Sequence, residues 1–144
     1  VSICEKCGFD PDASVSAEYE FHIDRDPPSL NDRLFNAGPR ARLYRKERDL
    51  WCWEFRVIRM NRGIPSAVRD ERRRVTLVRV MTKRQKARDQ DNLVGGAKLC
   101  VDALVTEKLI FDDDPHHAEI HYQQMRISAA INKPGLHVTI EVLQ

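Results

Sequence analysis

The sequence predicts one small domain that mixes strands and helices in the order β-α-β-α-β-β. Three observations carry this. Two stretches repeat apolar residues at the 3.6-residue helical spacing. The stretches between them alternate apolar and polar residues or are rich in β-branched ones, and Pro and Gly clusters punctuate the joins. A chain of 144 residues is long enough to bury a core of its own and short for two. Its 42% hydrophobic and 32% charged residues match a soluble globular protein, and no apolar run approaches the roughly 18 residues of a membrane span. The cytoplasm is the expected location.

The elements follow in order. Tyr19-Glu20-Phe21-His22-Ile23 alternates as a half-buried strand does, so the domain is expected to run from 18 to 144, after a cysteine-containing segment at 1–17. Asp26-Pro27-Pro28-Ser29-Leu30-Asn31-Asp32 cannot continue that strand, because two prolines fix the backbone and remove donors. Gly38-Pro39 makes a second break. From Arg42 the pattern is helical, with an apolar stripe through Leu43, Leu50, Trp53, Val57 and Ile58 and basic residues at its start. Those charges read equally as a solvated face or as one that tracks phosphates. The helix stops at Met60-Asn61-Arg62-Gly63-Ile64-Pro65.

Arg73 to Thr82 is the clearest strand, with Val75, Leu77 and Val80 as its inward set. It leads into a basic loop, Lys83 to Arg88. A second helix is expected over Asn92 to Lys108, although Gly95-Gly96 lowers helix propensity by about 1 kcal/mol each. These glycines either delay the helix or let something approach its backbone closely. Strands over Ala118 to Ser128 and Leu136 to Leu143, joined through Pro134-Gly135, complete the order.

Net charge is only +2, but residues 69–88 hold nine Lys or Arg against two acids, so the signal for an anionic partner is local. Of the four cysteines, Cys4 and Cys7 form half a zinc knuckle. A tetrahedral zinc would need further ligands, from His22 or from another chain, and a reduced terminal segment without zinc is the simpler reading. Cys52 and Cys100 read as buried thiols.

The chemistry concentrates between Arg88 and Pro115. Asp89 and Asp91 open the second helix, Asp112, Asp113 and Asp114 follow it, and Lys98 stands between, four residues before Asp102. Carboxylates beside a cationic loop suit a Mg²⁺ ion brought to a phosphate, because Mg²⁺ takes hard oxygen ligands and needs few of them from the protein. A structural reading competes. D-x-D-N is also a helix N-cap, and Lys98 with Asp102 is also a plain surface pair. A straight helix would hold the two acid groups roughly 25 Å apart. Either the helix begins after Gly96 and the loops fold back along it, or the second group serves another site across a dimer interface.

The run Asp89, Asp91, Asn92, Leu93, Val94, Gly95, Gly96, then Lys98, Asp102, Ala103, Leu104, Val105, and finally Ile110, Asp112, Asp113 and Pro115, resembles the RusA family of Holliday junction resolvases in a prophage-type branch. Pro27-Pro28-Ser29-Leu30-Asn31 is similar to the family's proline-rich loop, and the likeness covers about Tyr19 to Val142. It implies a mixed α+β fold with two main helices, a homodimer, and a Mg²⁺-dependent endodeoxyribonuclease in which Mn²⁺ can substitute. The implied metal ligands are Asp89, Asp91 and Asp113, and the implied catalytic lysine is Lys98, displaced by three residues relative to shorter members. Paired nicks in a two-fold symmetric four-way DNA junction would match two sites related by the dimer axis. Lys83, Arg84, Lys86, Arg88, Arg72, Arg73 and Arg74 are the expected phosphate contacts. A non-cleaving junction-binding accessory and a related flap or fork nuclease are the alternatives.

Overall fold

The computed structural model describes residues 13–30 and 41–144. The Cys4–Cys7 knuckle, Asn31 and the Gly38-Pro39 break lie outside the described residues. The fold is α+β, with two helices and a four-stranded mixed sheet: β1 (Val15–Ile23), α1 (Ala41–Arg62), β2 (Arg72–Met81), α2 (Gln90–Thr106), β3 (Ala118–Arg126) and β4 (Gly135–Leu143). The sheet order is β1-β4-β2-β3. β4 runs antiparallel to both β1 and β2, while β3 lies parallel to β2. A parallel neighbour requires a crossover, and α2 supplies it. β1 begins at Val15, paired with Leu143, so the boundary expected after residue 17 falls inside this strand.

Strand register decides which side chains enter the core. Phe21 faces Val138 on β4, which faces Leu77 on β2, which pairs with Tyr122 on β3. Rows of this kind put Phe21, Ile23, Val75, Leu77, Leu136, Val138 and Ile140 on one face, where they form a single cluster with residues from both helices. Val80 is fully buried but has the opposite parity and lies outside that cluster. α1 contributes Trp51, Cys52 and Phe55, and the ring of Phe55 meets that of Phe21 edge-on at 6.3 Å between centroids. α2 contributes Leu99, Cys100, Ala103 and Leu104.

Of the stripe expected to seat α1, only the Ile58 end packs against the core. Leu43, Leu50 and Trp53 are exposed, and the buried side is Trp51, Cys52 and Phe55, with Tyr44 and Ile58 packed alongside. Periodicity reports that a helix has an apolar face, and α1 has two.

The helix termini follow local rules. Gly63 adopts φ +63° just after α1, and the N–H of Ile64 returns to the carbonyl of Arg59. At the end of α2, Lys108 takes φ +60° and Leu109 bonds back to Leu104, which reverses the chain sharply. No helix among the described residues is long and apolar enough to cross a membrane.

Candidate metal and nucleic-acid site

α2 begins at Gln90, ahead of both glycines, so it does not start late. Asp89 is its N-cap: one carboxylate oxygen accepts the backbone N–H of Asn92 at 2.9 Å and the other accepts the Asn92 side-chain amide at 3.0 Å. Asp91 lies in the first turn and is exposed. The glycines serve the second purpose. A Cβ on Gly96 would stand 1.9 Å from the carbonyl oxygen of Pro28, so only glycine lets the Asp26–Leu30 loop rest on the helix. The N–H of Leu30 reaches the carbonyl of Asn92 at 3.3 Å. The proline loop is thus seated beside the Asp89–Asp91 turn.

That seat is braced by a buried polar network. Arg79, 4% exposed, donates to both oxygens of Asp26 and to the side chain of Gln124. Arg88 donates to the carbonyls of Pro27 and Pro28 and to Asp26, while its own N–H and C=O are both bonded to the Gln124 amide. A buried guanidinium needs such partners, since leaving one charge unpaired there costs about 3–5 kcal/mol. Asp26, Arg79 and Gln124 carry no motif signal. The alternation of β2 and β3 could have marked Arg79 and Gln124 as inward-facing polar groups.

The acids after α2 do come back along it. Lys98 Nζ lies 3.6 Å from Asp113 and 3.9 Å from Asp102. At 100° per residue Asp91, Lys98 and Asp102 fall within about 40° of arc on one helix face, and Lys98 stands roughly 10 Å along the axis from Asp91. The loop shortens the expected separation without closing it: among the described residues no three His, Cys, Asp or Glu side chains converge on a point where a metal could sit. Asp89 and Asp91 form one group, and Asp113 with Lys98 forms a second. The other two acids of the run have local duties. Asp112 accepts the N–H of Asp113. Burial alone would raise the Asp114 carboxyl, but hydrogen bonds from the His117 ring and from the His116 N–H hold it below the ordinary carboxylate value.

Two tyrosines flank the Lys98 group and were not singled out from the sequence. Tyr44 of α1 donates to Asp102 at 3.0 Å, and its hydroxyl is pushed up to about 12 by burial first and by Asp102 second. Tyr122 of β3 is likewise pushed up to about 12, chiefly by burial and then by the charge of Asp113. Both phenols therefore stay neutral donors through the physiological range.

The basic residues divide sharply. Lys83, Arg84 and Lys86 are exposed and have no ion-pair partner among the described residues. The turn that presents them is held by Arg126, which donates to the carbonyls of Thr82 and Gln85. The Arg72–Arg74 triplet behaves otherwise, each side chain having partners within the protein. Arg73 is 1% exposed, points into the core side and donates to Glu71, Leu109 O and Pro65 O. Arg74 is held by Glu119, itself 1% exposed, and lies 3.8 Å from Glu141. Arg72 is half-buried and donates to Pro115 O. Arg88 is tied to the proline loop as described. Three adjacent arginines on a central strand alternate between its faces, and the inward one must find carbonyls or carboxylates.

Cys52 and Cys100 are both free and buried, as expected, and burial pushes both thiols up. No protein-family model matches the chain, and no curated protein matches it as a relative.

Proposed function

We propose that this protein is a Mg²⁺-dependent, structure-selective endodeoxyribonuclease of the RusA type that acts on four-way DNA junctions as a homodimer. The observation that carries the reading is the single exposed face of α2. It bears Asp91, Lys98 and Asp102, is capped by Asp89, is approached by Asp113, and follows a loop whose Lys83, Arg84 and Lys86 are exposed and without an ion-pair partner among the described residues. The donor set fits a divalent cation in one respect: Asp89 and Asp91 are hard oxygen ligands on one exposed turn, and Mg²⁺ is commonly held by one or two carboxylates with substrate phosphate and water completing the shell. Bound there, the ion would polarise a phosphoryl group and lower the pKa of a coordinated water. Lys98 would supply positive charge to the phosphate that gains charge in the transition state, with Asp113 and Asp102 fixing its position. Lys83, Arg84 and Lys86 would track the backbone, giving an affinity that falls steeply with salt.

The test is purified protein with a labelled four-way junction, with and without Mg²⁺. Paired symmetric nicks that require the metal support the reading. Equal cutting of linear duplex, or no cutting with intact junction binding, would sink it. Intact junction binding without cutting would instead support a junction-binding recombination accessory. A flap or fork nuclease is distinguished by comparing those substrates in the same assay.

A further inference from the structure

α1 is a 22-residue helix whose buried side is filled by Trp51, Cys52 and Phe55. Its outward side combines exposed cations with an exposed aromatic ring. Arg42, Arg45 and Lys46 are exposed and have no ion-pair partner among the described residues. Together with Asp49 and Leu50 they line an open groove of about 400 Å³. Asp49 opposes the cations, but Arg48 lies 3.6 Å from it and offsets its charge, so the groove stays positive. Trp53, 60% exposed, continues the same face. At 100° per residue Arg42, Lys46 and Trp53 fall within about 40° of arc, and Trp53 stands roughly 10 Å along the axis from Lys46. The core takes Trp51 from this helix and leaves Trp53 outside it. A solvated helix face accounts for the cations and not for the indole beside them.

We infer that the outward side of α1 holds an unpaired DNA strand, its phosphates on Arg42, Arg45 and Lys46 and one base stacked on Trp53. The inference rests on the reading of the protein as a nuclease of branched DNA, and adds where unpaired nucleotides of the substrate go. Charge complementarity selects the occupant. A positive groove that ends in an exposed aromatic ring offers the two things a single strand binds, cations for its backbone and a flat surface for a base, and every base has a face to stack. The side chain of Leu50, 36% exposed, gives the sugars an apolar floor. Duplex DNA suits the face less well, because its bases are already stacked on one another and leave the indole without a partner. The position agrees with this occupant. Tyr44, next in sequence to Arg45, donates to Asp102 of α2, so the groove begins about one helix diameter, roughly 10 Å, from the face that bears Asp91 and Lys98. A strand drawn off that face passes directly onto α1.

The test uses a labelled oligothymidylate of about eight nucleotides, without Mg²⁺, at several salt concentrations. Anisotropy of the label gives the affinity of each variant, and tryptophan fluorescence of the parent reports the contact, since Trp51 is fully buried and only Trp53 can be quenched by a base. Saturable quenching is expected, with affinity lowered about tenfold or more in Trp53→Ala and largely restored in Trp53→Phe. Replacing Arg42, Arg45 and Lys46 together by alanine, a good helix former, should reduce the slope of log affinity against log salt by about 2. If Trp53→Ala loses its far-UV spectrum, the triple variant carries the test. Absence of quenching overturns the inference, as does a folded Trp53→Ala that binds like the parent, an unchanged salt slope, or a duplex of the same length that competes as well as the single strand. Quenching that follows protein concentration without DNA marks a contact between copies and overturns it too. No readout depends on cleavage: junction cutting without single-strand binding on α1 refutes this inference alone, and single-strand binding on α1 without cutting refutes only the nuclease reading.

Discussion

α1 and α2 lie on the same face of one sheet and are tied to each other by Tyr44 to Asp102 and by Arg56 to Glu107, yet they turn opposite chemistry outward. α2 is lined with small residues where it meets the sheet and the proline loop, Gly96, Ala97, Cys100 and Ala103, so neighbours come close on two sides. What it leaves outside is charged: Asp91, Lys98 and Asp102. α1 buries large side chains on one side and exposes more of them on the other. The contrast teaches that the buried halves of the two helices do the same structural work, while their outward halves differ in chemistry, one charged and one apolar.

The largest test of this division falls on α2. Asp91→Asn should reduce metal-dependent junction cleavage at least about a hundredfold while leaving junction binding and thermal stability near the parent. Asp89→Asn is equally informative, because asparagine caps a helix as well as aspartate does and the start of α2 should survive. If either variant cuts at the parental rate, the charged face is ordinary solvated surface and the contrast collapses.

The close approach on α2 gives the next effect. Gly96→Ala places a methyl into the Pro28 carbonyl and should destabilise the fold by about 1–3 kcal/mol in urea titrations, with loosening of the Asp26–Leu30 loop. Gly95→Ala meets only the flexible end of Leu30 and gains helix propensity, so it should shift stability by less than about 1 kcal/mol. Equal effects at the two positions would contradict the seating of the loop.

A smaller effect tests the tie between the helices. Glu107 is 5% exposed and receives two bonds from Arg56. Glu107→Gln should lower the urea midpoint by less than Gly96→Ala does, because a neutral amide keeps one of those bonds. The smallest concerns pH. Tyr44 and Tyr122 hold their protons in the fold up to about 12 against an ordinary value of 10.0. Their contribution to stability is therefore complete below pH 10 and is lost as pH rises toward 12. Tyr44→Phe should flatten part of that decline in denaturation curves taken across the window.

How much of this was legible before the structure varies by kind of residue. Asp89, Asp91, Lys98 and Asp113 stand out because spacing and residue type are properties of the chain itself. Their division into two groups was not legible, since it depends on where the left-handed turn at Lys108 sends the following loop. Arg73 shares the strand parity of Val75 and Leu77, so its inward direction was legible, but the Glu71, Leu109 and Pro65 partners that hold it were not. Asp26 was invisible because it matters only through partners far away in sequence, and strand alternation could mark Gln124 as inward-facing without naming Arg79 and Arg88 as its partners.

By itself, then, the sequence determined the element order, their limits to within a residue or two at most ends, and the acids and cations available for chemistry, because propensity, capping and turns act over a few neighbouring residues. Tertiary structure alone decided which of α1's two apolar faces is buried, which arginines remain free, and why Gly96 is glycine. Each of those depends on what another element places against the residue, and local periodicity has no information about the phase of a helix or strand relative to the core it will meet.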